Sequence, residues 1–250
     1  MKYFSFFNGK GGVGKTTLAI LAASFFVYEK GLRVRVLDLE SHDYRITPFR
    51  KLDIERLRTP GTPFYSYAQH NPMPPSPENY FTIEERDQQE KGFVDALTKE
   101  KKSGPYDLTI LDFPAHYNDN LPVHALAERG LLDCVYVPMR IEQQERRSAC
   151  ITGLGLASCG TKVRLLWNDI DTDIIKRGTP LDEAEEEVSF LKESGVSYST
   201  VRIKHFKKAS QATDKQCFVR STICWPDKYV RMWCPELIEL FEEISKVLQI

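Results

Sequence analysis

A glycine-rich stretch close to the first residue constrains the fold more than any other part of this sequence. The stretch fits the pattern Gly-x-x-x-x-Gly-Lys-Thr and reads Asn8-Gly9-Lys10-Gly11-Gly12-Val13-Gly14-Lys15-Thr16-Thr17. A β-prone run at residues 3–7 precedes it, and a run with helical character follows at residues 17–30. A glycine-rich turn between a strand and a helix directs backbone N–H groups at an anion. The sequence therefore predicts a phosphate-binding loop.

The residues of this loop indicate how a nucleotide would be held. Lys15 reaches the β- and γ-phosphates, and Thr16 supplies a hydroxyl ligand to Mg²⁺. The glycines allow the backbone to turn tightly around the anion. The expected nucleotide-binding residues are Gly9, Gly11, Gly12, Val13, Gly14, Lys15, Thr16 and Thr17.

Composition limits the classes of partner that the chain can attract. It has 250 residues, a formal net charge of −1 and 28% charged residues, so we expect one domain over residues 1–250 without an overall basic field. The six cysteines include no Cys-x-x-Cys pair, which favours buried free thiols over disulfides or a metal site. No signal-peptide pattern is present, and the longest apolar run, at residues 18–28, is about half of a membrane span. These features predict a soluble, cytoplasmic protein.

Acidic residues end two predicted strands, at the position where open parallel sheets bind their ligands. The second predicted strand ends in Asp38 and Glu40, and a later buried-strand pattern ends near Asp112. We expect Asp112 to hold Mg²⁺ together with Thr16, and Asp38 and Glu40 to face the bound phosphates. The alternatives are that Asp38 and Glu40 cap the turn that follows them, and that Asp112 caps a helix.

Strands alternate with helices along the chain, which predicts an α/β fold with a mostly parallel twisted sheet and helices on both faces. The predicted strands cover residues 3–7, 33–40, 106–114, 134–138 and 162–167, and the predicted helices cover 17–30, 83–102, 142–157 and 179–194. Residues 58–80 are rich in proline and predict a long loop or lid. Asn168 follows a core strand, where an asparagine serves either as a turn residue or as a nucleobase contact.

Residues 10–17 resemble the deviant Walker A motif of the ParA/MinD family of P-loop ATPases, and Lys10 is the distinguishing residue. The resemblance implies ATP and Mg²⁺ as cofactors. It also implies a homodimer that forms on ATP binding, in which Lys10 of each subunit reaches the phosphates held by its partner. A cation supplied by a second subunit can raise the rate of phosphoryl transfer by about 10³ to 10⁵. The implied catalytic residues are Lys10, Lys15, Asp38 and Glu40.

Further motifs extend the resemblance along the chain. Residues 36–40 are similar to the second-strand motif of the family, residues 111–115 to its Walker B motif, and residues 165–168 to the strand whose asparagine contacts adenine. Asn168 is therefore the expected adenine contact. The chain departs from the family by having Glu40 where an aspartate usually positions the attacking water, so we expect slow, partner-stimulated hydrolysis. It also lacks the Ile-Pro step often found near residues 200–202.

The last third of the chain bears on whether the protein binds DNA or a membrane. Residues 235–244 combine an apolar stripe with an acidic face, which disfavours binding to anionic lipid and predicts a helix docked on the sheet. A basic cluster upstream predicts salt-sensitive contacts to DNA phosphates that do not depend on sequence. Its residues are Arg202, Lys204, Lys207 and Lys208. A solvated basic face remains the alternative.

Taken with the family resemblance, these features predict a ParA-like ATPase that acts in segregation of a plasmid, chromosome or conjugative element. The expected partners are a second copy of the chain, nonspecific DNA and a ParB-like activating protein, with no membrane. The expected location is the cytoplasm, on the nucleoid when DNA is bound. The alternatives are a MinD-like membrane-positioning ATPase, a biosynthetic ligase or metal-cluster carrier with the same fold, and a protein without enzymatic activity.

Overall fold

The computed structural model of the chain describes residues 1–39, 46–62, 65–66, 80–115, 121–171, 179–205, 222–223, 230–231 and 234–250. The strands are β1 (Lys2–Phe6), β2 (Val34–Asp38), β3 (Thr82–Glu85), β4 (Leu108–Asp112), β5 (Cys134–Met139), β6 (Val163–Ile170) and β7 (Val196–Lys204). The helices are α1 (Lys15–Tyr28), α2 (Ile46–Arg58), α3 (Phe93–Ser103), α4 (Leu121–Glu128), α5 (Gln143–Ser158), α6 (Thr179–Val188) and α7 (Glu236–Leu248). A 3₁₀ segment, Ser189–Ser194, follows α6.

The strands form one seven-stranded sheet in the order β3-β2-β4-β1-β5-β6-β7, and every neighbouring pair is parallel. Strands β2, β4 and β5 are buried along their whole length, as expected for parallel strands covered on both faces. The predicted α/β fold is therefore confirmed.

Helices cover both faces of the sheet, each over its own hydrophobic core. Helices α1 and α7 form one layer, where Phe26 and Phe241 are fully buried together with Tyr136 of the sheet. Helices α3 to α6 form the other layer, which buries Leu97 and Leu156 against the opposite face. Full burial of each large apolar side chain contributes roughly 1.5–3 kcal/mol. The two layers fix the sheet rigidly beneath the loops at its carboxyl edge.

Strand β1 lies at the centre of the sheet, and this position determines where the glycine-rich loop emerges. Ser5 of β1 pairs with Leu111 of β4 on one side and with Val135 of β5 on the other. The loop that follows β1 therefore begins between the carboxyl ends of β4 and β5. In open parallel sheets this edge is where ligands bind.

The helix predicted over residues 83–102 is wrong in its first half. Residues 82–85 form the edge strand β3, which pairs with β2, and α3 begins only at Phe93. The strand is stabilised by charge, since the buried guanidinium of Arg35 lies 2.8 Å from Glu84 and 2.9 Å from Glu100. Two carboxylates in a four-residue strand concealed its β character in the sequence.

The end of the chain contains one element that the sequence analysis missed and one that it predicted. Strand β7 was not predicted; it alternates buried Val201 and Ile203 with the exposed basic residues Arg202 and Lys204. Helix α7 packs its apolar stripe against α1 and β7 and buries Leu240 and other residues of the first core. The prediction of a helix docked on the sheet is confirmed.

The proline-rich region is described in part. Its first residue, Arg58, is the last residue of α2, and a turn follows at residues 59–62. Most of the loop or lid predicted over residues 58–80 lies outside the described residues, so its role stays a prediction. Among the helices that the structure describes, none is long and apolar enough to cross a lipid bilayer.

Candidate functional site

The glycine-rich loop has a backbone shape that requires glycine at two positions. Gly12 and Gly14 have φ values of 79° and 92°, in the left-handed region that side chains disfavour. Gly14 directly precedes α1, and a Cβ atom added to it would lie 2.7 Å from Nδ2 of Asn168. The loop therefore forms a tight cradle, and the side chain of an alanine at position 14 would collide with Asn168. This is the backbone shape expected of a phosphate-binding loop.

The two lysines of the loop differ in their surroundings. Lys15 is 7% exposed, and its Nζ donates a hydrogen bond to the carbonyl of Lys10 at 3.1 Å. Lys10 is exposed to solvent at the surface of the loop. The ammonium of Lys15 thus lies inside the cradle, whereas that of Lys10 is available to a second molecule.

Two aspartates lie side by side at the ends of neighbouring strands. Asp38 of β2 is in register with Asp112 of β4, and the two residues are 0% and 1% exposed. Residues in register on adjacent strands point to the same face of the sheet, about 4.8 Å apart. The N–H of Leu39 also donates to the carbonyl of Asp112 at 3.0 Å, which ties the two strand ends together. Two buried aspartates therefore end neighbouring strands at the carboxyl edge of the sheet.

Asp38 has a structural partner. Its Oδ2 accepts a hydrogen bond from the N–H of Ile46, the first residue of α2, at 2.5 Å. The carboxylate thus caps the first residue of α2, whereas the alternative given in the sequence analysis was a cap on the turn that follows β2. The catalytic role of Asp38 stays a prediction. Glu40, the other predicted acidic residue of this strand, lies outside the described residues.

The residues present fit a magnesium nucleotide. Helix α1, which carries Thr16 in its first turn, packs against β4, which ends in Asp112. A hydroxyl and a carboxylate are hard oxygen ligands, and Mg²⁺ with a nucleotide takes few protein ligands because phosphates and waters supply the others. The described residues contain no cluster of three or more His, Cys, Asp or Glu side chains that could hold a metal alone. Thr16 and Asp112 stay the predicted residues that would hold Mg²⁺.

Asn168 reaches the loop from the end of β6. It is 7% exposed, and its Nδ2 donates a hydrogen bond to the carbonyl of Val13 at 2.8 Å. The structure thus brings the expected adenine contact to the phosphate loop itself. Contact with adenine stays a prediction.

The residue after Asn168 belongs to a cluster that the sequence analysis did not identify. Asp169 has a φ of 63°, unusual for a residue other than glycine, and the pairing of β6 with β7 shifts register here. Its carboxylate pairs with Arg140 at 2.6 Å and with Nδ1 of His205 at 2.5 Å. This cluster connects residues at the ends of β5, β6 and β7. The polar pair Asn168-Asp169 in an otherwise apolar strand is the feature of the sequence that could have indicated this cluster.

The beginning of the loop is held by a residue that the sequence analysis did not single out. Asn8 is fully buried, and its Oδ1 accepts a hydrogen bond from the N–H of Lys10 at 2.9 Å. The same oxygen accepts a bond from Oγ of Ser148 on α5 at 2.7 Å, and Nδ2 donates to the carbonyl of Pro138 at 2.8 Å. No local pattern in the sequence indicates these long-range contacts.

The basic cluster is described for two of its four residues. Arg202 pairs with Glu185 of α6 at 2.7 Å, and Lys204 pairs with Glu236 of α7. The hydrogen bond with Glu236 raises the pKa of Lys204 above its usual range. Lys207 and Lys208 fall outside the part of the chain that the structure describes. The two described cations therefore have carboxylate partners within the protein.

Comparison with models of protein families finds no match, and comparison with curated protein sequences finds none either. Solved structures do match over nearly the whole chain. The MinD cell division protein of Aquifex aeolicus has a TM-score of 0.66 at 16% identity, covering 98% of this chain and 97% of that one. McdA of Cyanothece in complex with ATP has a TM-score of 0.60 at 16% identity, covering 100% and 97%.

A putative plasmid partition protein of Borrelia burgdorferi bound to AMPPNP also matches, with a TM-score of 0.59 at 15% identity and coverage of 97% and 98%. These similarities define the fold class of the chain. It has the fold of the MinD and ParA-like P-loop ATPases. The resemblance inferred from residues 10–17 is therefore confirmed at the level of the fold.

Proposed function

We propose that the chain is an ATPase that binds ATP with Mg²⁺ between two copies of itself, hydrolyses the ATP slowly and binds DNA nonspecifically in the ATP state. One observation carries the proposal. The phosphate loop keeps Lys15 inside its cradle and presents Lys10 to solvent. A loop that needed only to bind a nucleotide would use Lys15, so the exposed Lys10 supports a role at the site of a second subunit.

In this proposal each group acts through charge and position. The loop N–H groups and Lys15 bind the β- and γ-phosphates, while Thr16 and Asp112 hold Mg²⁺. Bound Mg²⁺ would offset charge on the phosphate oxygens. Lys10 from the opposite subunit adds a cation where negative charge develops during phosphoryl transfer. Asp38 and Glu40 are the proposed catalytic acidic residues, and Glu40 occupies the position at which an aspartate of the family positions the attacking water.

The DNA-binding part of the proposal depends on the basic cluster. Arg202 and Lys204 are paired with Glu185 and Glu236, so contact with DNA phosphates requires these ion pairs to exchange. Surface ion pairs contribute at most about 1 kcal/mol, which makes such an exchange feasible. The match to a plasmid partition protein supports a role in DNA segregation. A ParB-like protein would then stimulate hydrolysis, and the single domain would act in the cytoplasm, on the nucleoid.

A MinD-like role at a membrane is the second candidate, because MinD is also among the matching structures. Helix α7 weighs against it. Its apolar stripe is buried in the core, and three of its carboxylates, Glu236, Glu242 and Glu243, pair with basic residues of the protein. A helix in this state offers anionic lipid neither an apolar face nor a basic one.

A binding experiment with matched charge changes separates these candidates. Replacement of Lys204, Lys207 and Lys208 by glutamate should weaken retention on duplex DNA at least about tenfold in the presence of a slowly hydrolysed ATP analogue. Replacement of the exposed Lys91, Lys99 and Lys102 by glutamate makes the same charge change elsewhere and should have little effect. Binding should also fall steeply with added salt.

Two outcomes would count against this proposal. Equal DNA retention by both triple variants would remove the basic cluster from the DNA-binding surface. ATP-dependent binding to anionic vesicles without binding to DNA would favour the MinD-like role instead.

A further inference from the structure

The side chain of Asn8 connects three parts of the molecule at one buried point. Its Nδ2 donates to the carbonyl of Pro138 in β5, and its Oδ1 accepts bonds from the N–H of Lys10 and from Oγ of Ser148 in α5. The three distances, 2.8, 2.9 and 2.7 Å, are those of well-formed hydrogen bonds. Asn8 is 0% exposed, so no water competes for these bonds.

Two hydrogen bonds hold the backbone of Lys10, one to its N–H and one to its carbonyl. Asn8 accepts from its N–H, and Nζ of Lys15 donates to its carbonyl at 3.1 Å. The side chain of Lys10 nevertheless remains exposed. The main chain from which this lysine extends is thus fixed before any second molecule arrives, which reduces the ordering cost of binding.

Helix α5 supports the same half of the loop through a second side chain. The N–H of Gly9 donates to Oγ1 of the buried Thr152 at 3.4 Å, one helical turn after Ser148. The other half of the loop has different support, since Asn168 binds the carbonyl of Val13. Loss of the Asn8 contacts should therefore disturb Lys10 more than the part of the loop that contains Lys15.

We propose that Asn8 is a positioning residue for Lys10, directing that lysine at the nucleotide site of a second copy of the chain. This inference rests on the proposed function, because it requires Lys10 to act between subunits. The amide suits the task because it accepts two bonds on one atom and donates from the other. Aspartate has the same shape but would place an oxygen 2.8 Å from the carbonyl oxygen of Pro138.

The test compares wild type, Asn8→Asp, Lys10→Ala and the double variant in the presence of a slowly hydrolysed ATP analogue. Two quantities are measured: the affinity of each monomer for a fluorescent ATP analogue, and the dissociation constant of the nucleotide-bound dimer. Asn8→Asp should weaken the dimer about tenfold, the effect of losing one buried hydrogen bond, and change nucleotide affinity by less than about threefold. In the Lys10→Ala background, Asn8→Asp should change the dimer constant by less than about twofold.

Ser148→Ala provides a milder variant if Asn8→Asp does not fold, because it removes one of the bonds to Oδ1 and leaves Asn8 in place. Like Asn8→Asp, Ser148→Ala should raise the dissociation constant of the dimer. Ser158→Ala is its control, since Ser158 lies exposed at the end of the same helix and its Oγ donates to the carbonyl of Gly155 in that helix. It should leave the dimer unchanged.

The outcomes distinguish the inference from the function on which it rests. A wild-type protein that stays monomeric with the analogue overturns both. Suppose that the wild type dimerises and that Lys10→Ala weakens the dimer. If the effects of Asn8→Asp and Lys10→Ala on the free energy of dimerisation are then fully additive, the inference alone is overturned. A loss of monomer nucleotide affinity as large as the loss of dimer affinity would overturn it too, because Asn8 would then support the whole loop.

Discussion

Asn168 donates its side-chain amide to the backbone carbonyl of Val13 at 2.8 Å, and thereby joins the end of β6 to the phosphate loop. Strand β5 lies between β6 and β1 in the sheet, so this bond crosses a neighbouring strand. Asn168→Asp replaces the donor by an oxygen that faces the carbonyl. We expect nucleotide affinity to fall about tenfold, measured by titration with a fluorescent ATP analogue.

The same variant separates two roles of Asn168, since inorganic tripolyphosphate has phosphates but no base. If Asn168 acts by shaping the loop, Asn168→Asp should weaken ATP and tripolyphosphate binding by a similar factor. A loss confined to ATP would show instead that Asn168 acts through adenine. Ser158→Ala, far from the loop on the exposed end of α5, serves as the control and should bind both ligands as the wild type does.

Glu243 of α7 makes the stability of the protein depend on pH. Burial would raise the pKa of this carboxyl, but hydrogen bonds from Thr200 and Tyr136 outweigh burial, so the pKa is lowered. The group therefore contributes stability above its unfolded pKa of about 4.5, and this contribution is lost as pH falls through the folded value. Glu243→Gln should lower the free energy of unfolding at pH 7 by about 1–3 kcal/mol.

Urea unfolding of wild type and Glu243→Gln between pH 7 and pH 3 measures this effect. The difference in the free energy of unfolding between the two proteins should shrink as the pH falls below about 4.5. Glu242→Gln is the control on the same helix, because Glu242 pairs with Lys30 near the surface. This replacement should lower the free energy of unfolding by less than about 1 kcal/mol. A constant difference across the pH range would contradict the role given to the Glu243 carboxylate.

Cysteine reactivity gives a test of the core that does not depend on function. Burial raises the pKa of the thiols of Cys134 and Cys234 to about 12, and both side chains are buried. Cys159, at the end of α5, is partly exposed. In the native protein at pH 8, alkylation mapped by mass spectrometry should modify Cys159 at least about tenfold faster than Cys134. Equal rates would mean that the sheet opens easily.

The central elements of the fold could be predicted because their signals are local. Strands β1, β4 and β5 are apolar runs that end at turn residues, and the phosphate loop is defined by glycines at fixed spacing. The two edge strands, β3 and β7, were harder to predict from the sequence. Strand β3 contains Glu84, whose carboxylate pairs with Arg35 and Arg86, and β7 carries basic residues at alternate positions, so charge concealed both strands.

The residues of the candidate site also fall into two groups, those that the sequence could indicate and those that it could not. Lys15 and Thr16 were predicted from the spacing of the glycine-rich motif, and Asp112 from its place at the end of an apolar strand. Asn8 could not be identified, because its role depends on Ser148, 140 residues away, and on Pro138. Nor could the sequence show that Asn168 contacts Val13. Both asparagines act through long-range hydrogen bonds that only the packing of the sheet creates.

The most direct test of the account is the mass of the protein in solution with a slowly hydrolysed ATP analogue and Mg²⁺, determined by light scattering. Wild type should shift from monomer to dimer when the analogue is added. Lys15→Ala should not shift because it cannot hold the nucleotide, and Lys10→Ala should bind the analogue yet remain largely monomeric. A Lys10→Ala protein that dimerises as fully as the wild type would contradict the central claim that Lys10 acts at the site of a second subunit.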